Sequence, residues 1–127
     1  MPSFADIYTI EVVGASDQNL TQAQNTLDND LVTYWSDNGQ GVWIQYDLGN
    51  AKTFQTVRIA WHKGDERSAT FDIQTSNDGN YWQPVYSGES SGTQLTLETY
   101  SFSDEITARY MRIVGYGNSI NDWTSIT

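Results

Sequence analysis

The sequence predicts an all-β fold, a sandwich or jelly roll, on three observations. Apolar residues recur mostly at every second position, β-branched and aromatic residues gather in those short runs, and Gly, Asn, Asp and Ser bound them. No long amphipathic stretch interrupts the pattern, which disfavours a parallel sheet covered by helices.

The runs predict strands at Tyr8 to Val13, Val42 to Asp47, Phe54 to His62, Ala69 to Ser76, Gln83 to Ser87, Thr93 to Phe102 and Arg109 to Tyr116. Alternation assigns faces: Val57, Ile59 and Trp61 share one side of their strand, with Arg58, Ala60 and His62 on the other. By the same rule Phe71 and Ile73 point inward while Asp72 and Gln74 point out. Turn chemistry fills the gaps at Asp37-Asn38-Gly39, Leu48-Gly49-Asn50, Asn77-Asp78-Gly79-Asn80, Ser90-Ser91-Gly92 and Gly115-Tyr116-Gly117-Asn118. Ala23 to Leu31 has room for a short helical turn, but its Asn and Asp content favours an ordered loop. Trp35, Trp43, Tyr46 and Trp82 lie in or beside strands and read as core.

Length and charge limit what such a fold does. The 127 residues fit one domain, with residues 1–6 expected as a vector-derived or flexible lead-in. Six Lys plus Arg face sixteen Asp plus Glu, a net charge of −10, so surfaces that track nucleic-acid phosphates or anionic lipid are not expected. No cysteine and a single histidine, His62, exclude disulfides, thiolate nucleophiles, sulfur-bound zinc and His-rich metal sites. No apolar run approaches the roughly 18 residues that cross a bilayer, and the N-terminal residues lack the character of a signal peptide. There is no Gly-x-Ser-x-Gly, no phosphate-cradling Gly-rich loop followed by Lys, and no carboxylate pair set apart for glycoside hydrolysis. The chain is therefore expected to be noncatalytic.

Three segments carry chemistry. Asn25 to Trp35 packs carboxylate, amide and hydroxyl oxygens at short intervals, which suits a hard cation such as calcium; an N-capped turn explains the same residues. Trp61 to Arg67 places Lys63 and Arg67 beside His62, a cationic spot able to pair with a carboxylate or sulfate, unless Asp65 and Glu66 neutralise it in an exposed loop. Gly115 to Trp123 joins Tyr116 and Trp123 to a polar, Gly-rich loop, a combination suited to a sugar's apolar face and hydroxyls; core filling and turn formation are the alternative.

In order, Asn25-Thr26-Leu27-Asp28-Asn29-Asp30 with Thr33-Tyr34-Trp35, Trp43 to Gly49, Phe71 to Gly79 with Trp82, and Ala108 to Ile113 resemble the discoidin, or coagulation-factor type C, superfamily. Ala60 to Arg67, Val114 to Ser119 and Trp123 to Thr127 are most similar to bacterial family 32 carbohydrate-binding modules attached to alginate lyases. The resemblance covers Ile10 to Thr127.

It implies a jelly-roll β-sandwich, a structural calcium and a shallow glycan site on loops at one end. By position it implies calcium ligands at the carbonyl of Asn25, the carboxylate of Asp28, the carbonyl of Asp30, the carbonyl and hydroxyl of Thr33, and the carbonyl of Thr127. It also implies a strand after Ser125-Ile126-Thr127 that opens with a metal-binding glutamate; this sequence stops at Thr127, so that strand is expected either from residues beyond 127 or from another segment such as Phe4 to Thr9, and an edge left open would invite pairing with a second chain. The ligand site implied joins His62, Lys63, Arg67, Asn118 and Trp123. Lys63 and Arg67 would neutralise a uronate carboxylate, His62 and Asn118 would bond ring hydroxyls, and Trp123 or Tyr116 would wall the sugar.

The function implied is a secreted, noncatalytic module for acidic polysaccharide ends, alginate or unsaturated uronate oligosaccharides, that targets an attached polysaccharide lyase. The alternatives are a lectin-like module for neutral galactose or N-acetylhexosamine glycans, and a discoidin-type adhesion domain. The last needs exposed apolar spikes and a basic underside, neither of which the sequence displays.

Overall fold

A computed structural model describes residues 11–127; Phe4 to Thr9, the expected edge filler, lies outside the described residues, as does the start of the strand expected from Tyr8. The fold is mostly antiparallel β. Among the described residues, the seven strands are β1 (Glu11–Ala15), β2 (Trp35–Asn38), β3 (Val42–Ile59), β4 (Ala69–Ser76), β5 (Gln83–Glu89), β6 (Glu98–Asn118) and β7 (Trp123–Ile126). Five form one sheet in the order β1-β3-β6-β4-β5, and β2 pairs with β7 in a second.

Alternation sets the faces. Ile44, Tyr46, Phe71, Ile73, Met111 and Ile113 of the large sheet are buried, with Trp35 and Ile126 of the small one. At one end the two sheets are linked by a bridge between Trp61 and Ile126. The Trp61 indole packs 4.8 Å from the Phe71 ring and donates its Nε1–H to the Tyr100 hydroxyl at 2.9 Å, so its polar edge is satisfied inside the core. Tyr46 is also fully buried, and its hydroxyl donates to Thr26 Oγ1 at 2.9 Å. Burial without a charge partner pushes the Tyr46 phenol well above its ordinary range.

Several sequence expectations change. Val42 to Asp47 and Phe54 to His62 are one strand, β3, ending at Ile59; the Leu48-Gly49-Asn50 signal produces a register shift between Asp47 and Lys52 instead of a turn. Gly49 takes a positive φ of 86° there, and Asp47 Oδ1 accepts its N–H at 2.8 Å. The two ends of β6, read as separate strands, are likewise continuous, and Thr93 to Leu97 precede it. The loop expected from Ala23 contains a 3-10 helix, Gln24–Leu27, after a short helix α1, Leu20–Ala23. Ala60, assigned to the outer face, is buried because the chain leaves the sheet at Ile59.

Trp35 and Tyr46 are core as expected, whereas Trp43 and Trp82 are only partly buried. They lie on the outer face of the large sheet and grip the Arg112 guanidinium, 4.3 Å from one ring and 4.2 Å from the other. Arg112 also donates to Gln45 Oε1 at 3.0 Å, a cross-strand pair in register.

Candidate functional site

Three segments distant in sequence meet at the end of the sandwich where β2 pairs with β7. A cleft of about 220 Å³ is lined by Tyr34 and Ser36, by His62, Lys63 and Arg67, and by Trp123 and Ser125. Ser125 ties them together. It lies opposite Ser36 in the β2–β7 ladder, its carbonyl accepts the His62 backbone N–H at 3.0 Å, and its hydroxyl accepts from Arg67 Nη2 at 3.2 Å.

The basic loop is shaped by its own backbone. Lys63 adopts a left-handed φ of 56°, and its carbonyl accepts the N–H groups of Glu66 and Arg67 at 3.0 and 3.2 Å. Gly64 is required by space: a Cβ there would stand 2.5 Å from the Gln94 carbonyl oxygen. Among the described residues no ion pair joins Asp65 or Glu66 to Lys63 or Arg67, so local neutralisation does not consume the cations.

His62 stacks on Tyr34, ring centroids 3.8 Å apart at 12°. Burial, aided by the charges of Arg67 and Lys63, lowers its pKa below the ordinary histidine value. At neutral pH the imidazole is therefore uncharged, with one nitrogen to donate and one to accept, which suits a sugar hydroxyl.

Ser68 and Ser119 staple this loop to the next. The Ser68 N–H donates to Ser119 Oγ at 3.0 Å, and the Ser119 N–H donates to the Ser68 carbonyl at 2.9 Å. The Asn118–Trp123 loop then presents the Trp123 indole, 43% exposed, at the cleft. Asn118 does not line the cleft. Its amide nitrogen donates to Asn121 Oδ1 at 2.7 Å and to the Trp123 carbonyl at 2.8 Å, and its oxygen accepts from the Ile120 and Asn121 N–H groups. Every hydrogen-bonding position of that amide is taken within its own loop, one donor by the Trp123 carbonyl. Tyr116 also stays away: its hydroxyl donates to Asp72 Oδ2 at 2.8 Å on the outer face of the large sheet, which raises the phenol pKa. Of the six expected ligand residues, His62, Lys63, Arg67 and Trp123 converge, joined by Tyr34, Ser36 and Ser125, which sequence reasoning did not select.

The expected metal residues sit in the loop before β2. Thr33 Oγ1 donates to the Asp28 carboxylate and lies 3.3 Å from the Asp30 carbonyl oxygen, bringing three of the expected oxygens together. Asp28 Oδ1 accepts the Asp30 N–H at 2.9 Å, and hydrogen bonding from Thr33 holds this carboxyl below its usual pKa. Asn25 donates to the Tyr34 carbonyl at 3.1 Å, and the pairing of Trp35 with Ile126 carries Thr127 to the level of Tyr34. Among the described residues no three His, Cys, Asp or Glu side chains form a metal cluster. The expected donor set, of which the Asp28 carboxylate, the Asp30 carbonyl and the Thr33 hydroxyl are brought together, is mostly carbonyl and hydroxyl oxygen around one carboxylate, chemistry that fits calcium.

A family profile for the F5/8 type C domain matches residues 9–127. Among solved structures, the chain is 46% identical to the CBM32 of AlyQ in complex with 4,5-unsaturated mannuronic acid, with a TM-score of 0.85 over 98% of this chain and 94% of that one. It matches a truncated AlyQ containing CBM32 and alginate lyase domains with the same identity and TM-score, over 100% of this chain and 32% of that chain. A pectin-binding carbohydrate-binding module is 27% identical with a TM-score of 0.79, over 99% and 88% of the two chains. No curated protein sequence matches. The profile, the near-complete structural overlap and the antiparallel sandwich place the chain in the F5/8 type C family as a family 32 carbohydrate-binding module, a noncatalytic type of domain.

Proposed function

We propose that the module binds the ends of acidic polysaccharides, alginate or unsaturated uronate oligosaccharides, and keeps an attached polysaccharide lyase near its substrate in the extracellular medium. The observation that carries this reading is the convergence of Lys63, Arg67 and His62 with exposed Trp123 on one small cleft. Arg67 offers a planar fork and Lys63 a point charge to a carboxylate, while Trp123 supplies an apolar wall for the ring. A cleft of about 220 Å³ suits a terminal sugar better than a long chain segment. Affinity in the millimolar to micromolar range, roughly −4 to −8 kcal/mol, is expected. Tethering then acts by raising local concentration. The likeness to a module in complex with unsaturated mannuronic acid, and to a chain that also carries an alginate lyase domain, supports both halves of the proposal.

Calorimetric titration with unsaturated mannuronate oligosaccharides, saturated uronate chains and galactose tests it. Uronate binding should weaken as salt shortens the Debye length from about 10 Å at 0.1 M. Galactose should give no comparable heat. Galactose binding insensitive to salt, with no uronate binding, would overturn the reading in favour of a neutral-sugar lectin.

We further assign calcium to Asp28, Thr33 and the carbonyls of Asn25, Asp30, Thr33 and Thr127. Bound there, the ion would tie the loop before β2 to the end of β7, bracing the strands that carry Tyr34 and Ser125. Because it binds the folded state, calcium at a hundredfold excess over Kd should add about 2.7 kcal/mol of stability. The thermal midpoint should rise with calcium, fall back with chelator and lose its response in Asp28→Ala; an unchanged midpoint would assign the loop to turn formation alone.

A further inference from the structure

The end of the sandwich opposite the basic loop holds a larger cleft, about 400 Å³, between the β4–β5 turn and residues 105–108 of β6. Its position follows from the course of β4, which starts beside the first cleft and delivers Ser76 to the second, seven steps of about 3.3 Å away.

The turn is rigidly built. Asp78 Oδ1 accepts from the Ser76 hydroxyl at 3.0 Å and from the Asn80 and Tyr81 N–H groups at 2.9 Å, while Ser76 Oγ accepts the Gly79 N–H at 2.9 Å. Gly79 takes a positive φ of 79° and packs beside the Tyr110 ring. This pinned turn leaves Tyr81 81% exposed at the mouth of the cleft. An aromatic ring held in water by a fixed backbone has little conformational entropy to lose when a ligand stacks on it.

The walls complete a recognition surface. Asn77 and Gln83 carry amides, Glu105 a carboxylate, and Ile106 and Ala108 apolar contact. Thr107 presents a hydroxyl already paired with Thr53 at 2.8 Å. Among the described residues no lysine or arginine lines this cleft, while Asp78 and Glu105 do. Its charge is thus opposite to that of the Lys63–Arg67 cleft, and it disfavours uronates.

From this arrangement we infer that the cleft at Tyr81 is a second carbohydrate site, selective for neutral hexose chains, with the sugar ring stacked on Tyr81 and its hydroxyls bonded by Asn77, Gln83 and Glu105. The module then has two faces of different selectivity at opposite ends of β4, able to hold an acidic chain end and a neutral glycan together. The selectivity of the Tyr81 site does not depend on what the basic cleft binds; its pairing with an acidic chain end rests on the function proposed above.

Amide chemical-shift mapping of the full chain with neutral tetrasaccharides of galactose, glucose and mannose tests it. At least one should move the amides of residues 77–83 and 105–108 with an affinity insensitive to salt, whether or not residues 62–67 and 123–125 also respond. Tyr81→Ala should weaken that binding about tenfold or more, with an unchanged thermal midpoint because the side chain is exposed. Arg67→Ala should not affect it. The inference is overturned by absence of shifts with all three sugars, by shifts confined to the basic cleft, by equal response to a uronate tetrasaccharide, or by full binding in Tyr81→Ala.

Discussion

Replacing Lys63 and Arg67 together with alanine is expected to abolish retention on uronate oligosaccharides, with little change in folding. Each cation would make a charge-assisted hydrogen bond worth about 1.5–3 kcal/mol. Losing both removes roughly 3–6 kcal/mol, at least a hundredfold in affinity. Since the starting affinity is expected to be no tighter than micromolar, affinity electrophoresis in a uronate gel should show no retardation. The folded state loses less. Lys63 is exposed and, among the described residues, Arg67 makes one side-chain hydrogen bond, to Ser125 at 3.2 Å, so about 1 kcal/mol of stability is at stake. Retained binding by the double variant would refute the cationic role. Loss of binding accompanied by a large fall in thermal midpoint would instead trace the effect to the scaffold. Arg67→Lys separates charge from geometry, because lysine keeps the charge but lacks the planar fork and cannot reproduce a bidentate contact.

The cationic part of this site was legible because Lys63 and Arg67 stand out in a chain with only six Lys and Arg, and because they directly follow a strand. Tyr34, Ser36 and Ser125 were not legible for a different reason. They reach the cleft through the β2–β7 pairing, whose partners Trp35 and Ile126 are far apart in the chain, and both strands are only four residues long. Periodicity needs more residues than that to declare a strand, and the Asp37-Asn38-Gly39 turn signal masked one of the two. Asn118 shows a further gap between residue type and role. Its amide is a competent sugar ligand in isolation, yet its own loop supplies partners for both donors and for the acceptor. The long strands were divided in reading for the converse reason: Leu48-Gly49-Asn50 has turn chemistry, and the sheet accommodates it as a register shift.

Gly115 illustrates the same point with the largest expected effect on stability. In the sequence it reads as one of several turn glycines near the end of a strand. In the fold it lies inside β6, paired with Val42 on one side and Phe71 on the other, where β7 crosses the sheet. A Cβ on Gly115 would stand 2.0 Å from Thr124 Oγ1, 2.4 Å from Thr124 Cγ2 and 2.6 Å from Thr124 Cβ. Thr124 is buried and its neighbours are Trp123 and Ser125, so it has little room to retreat without moving the wall of the binding cleft. Gly115→Ala should therefore cost about 1–3 kcal/mol in chemical denaturation. It should also weaken uronate binding despite leaving every lining residue in place. Thr124→Gly removes all three clashing atoms. Combined with Gly115→Ala, it should destabilise less than the sum of the two single changes, with a coupling of about 1 kcal/mol or more. Strict additivity would mean that β7 tolerates the added methyl by another route. Recovery of stability without recovery of binding would show that the cleft also depends on the Thr124 side chain, which lies 3.4 Å from the Gly117 N–H at the base of the Trp123 loop.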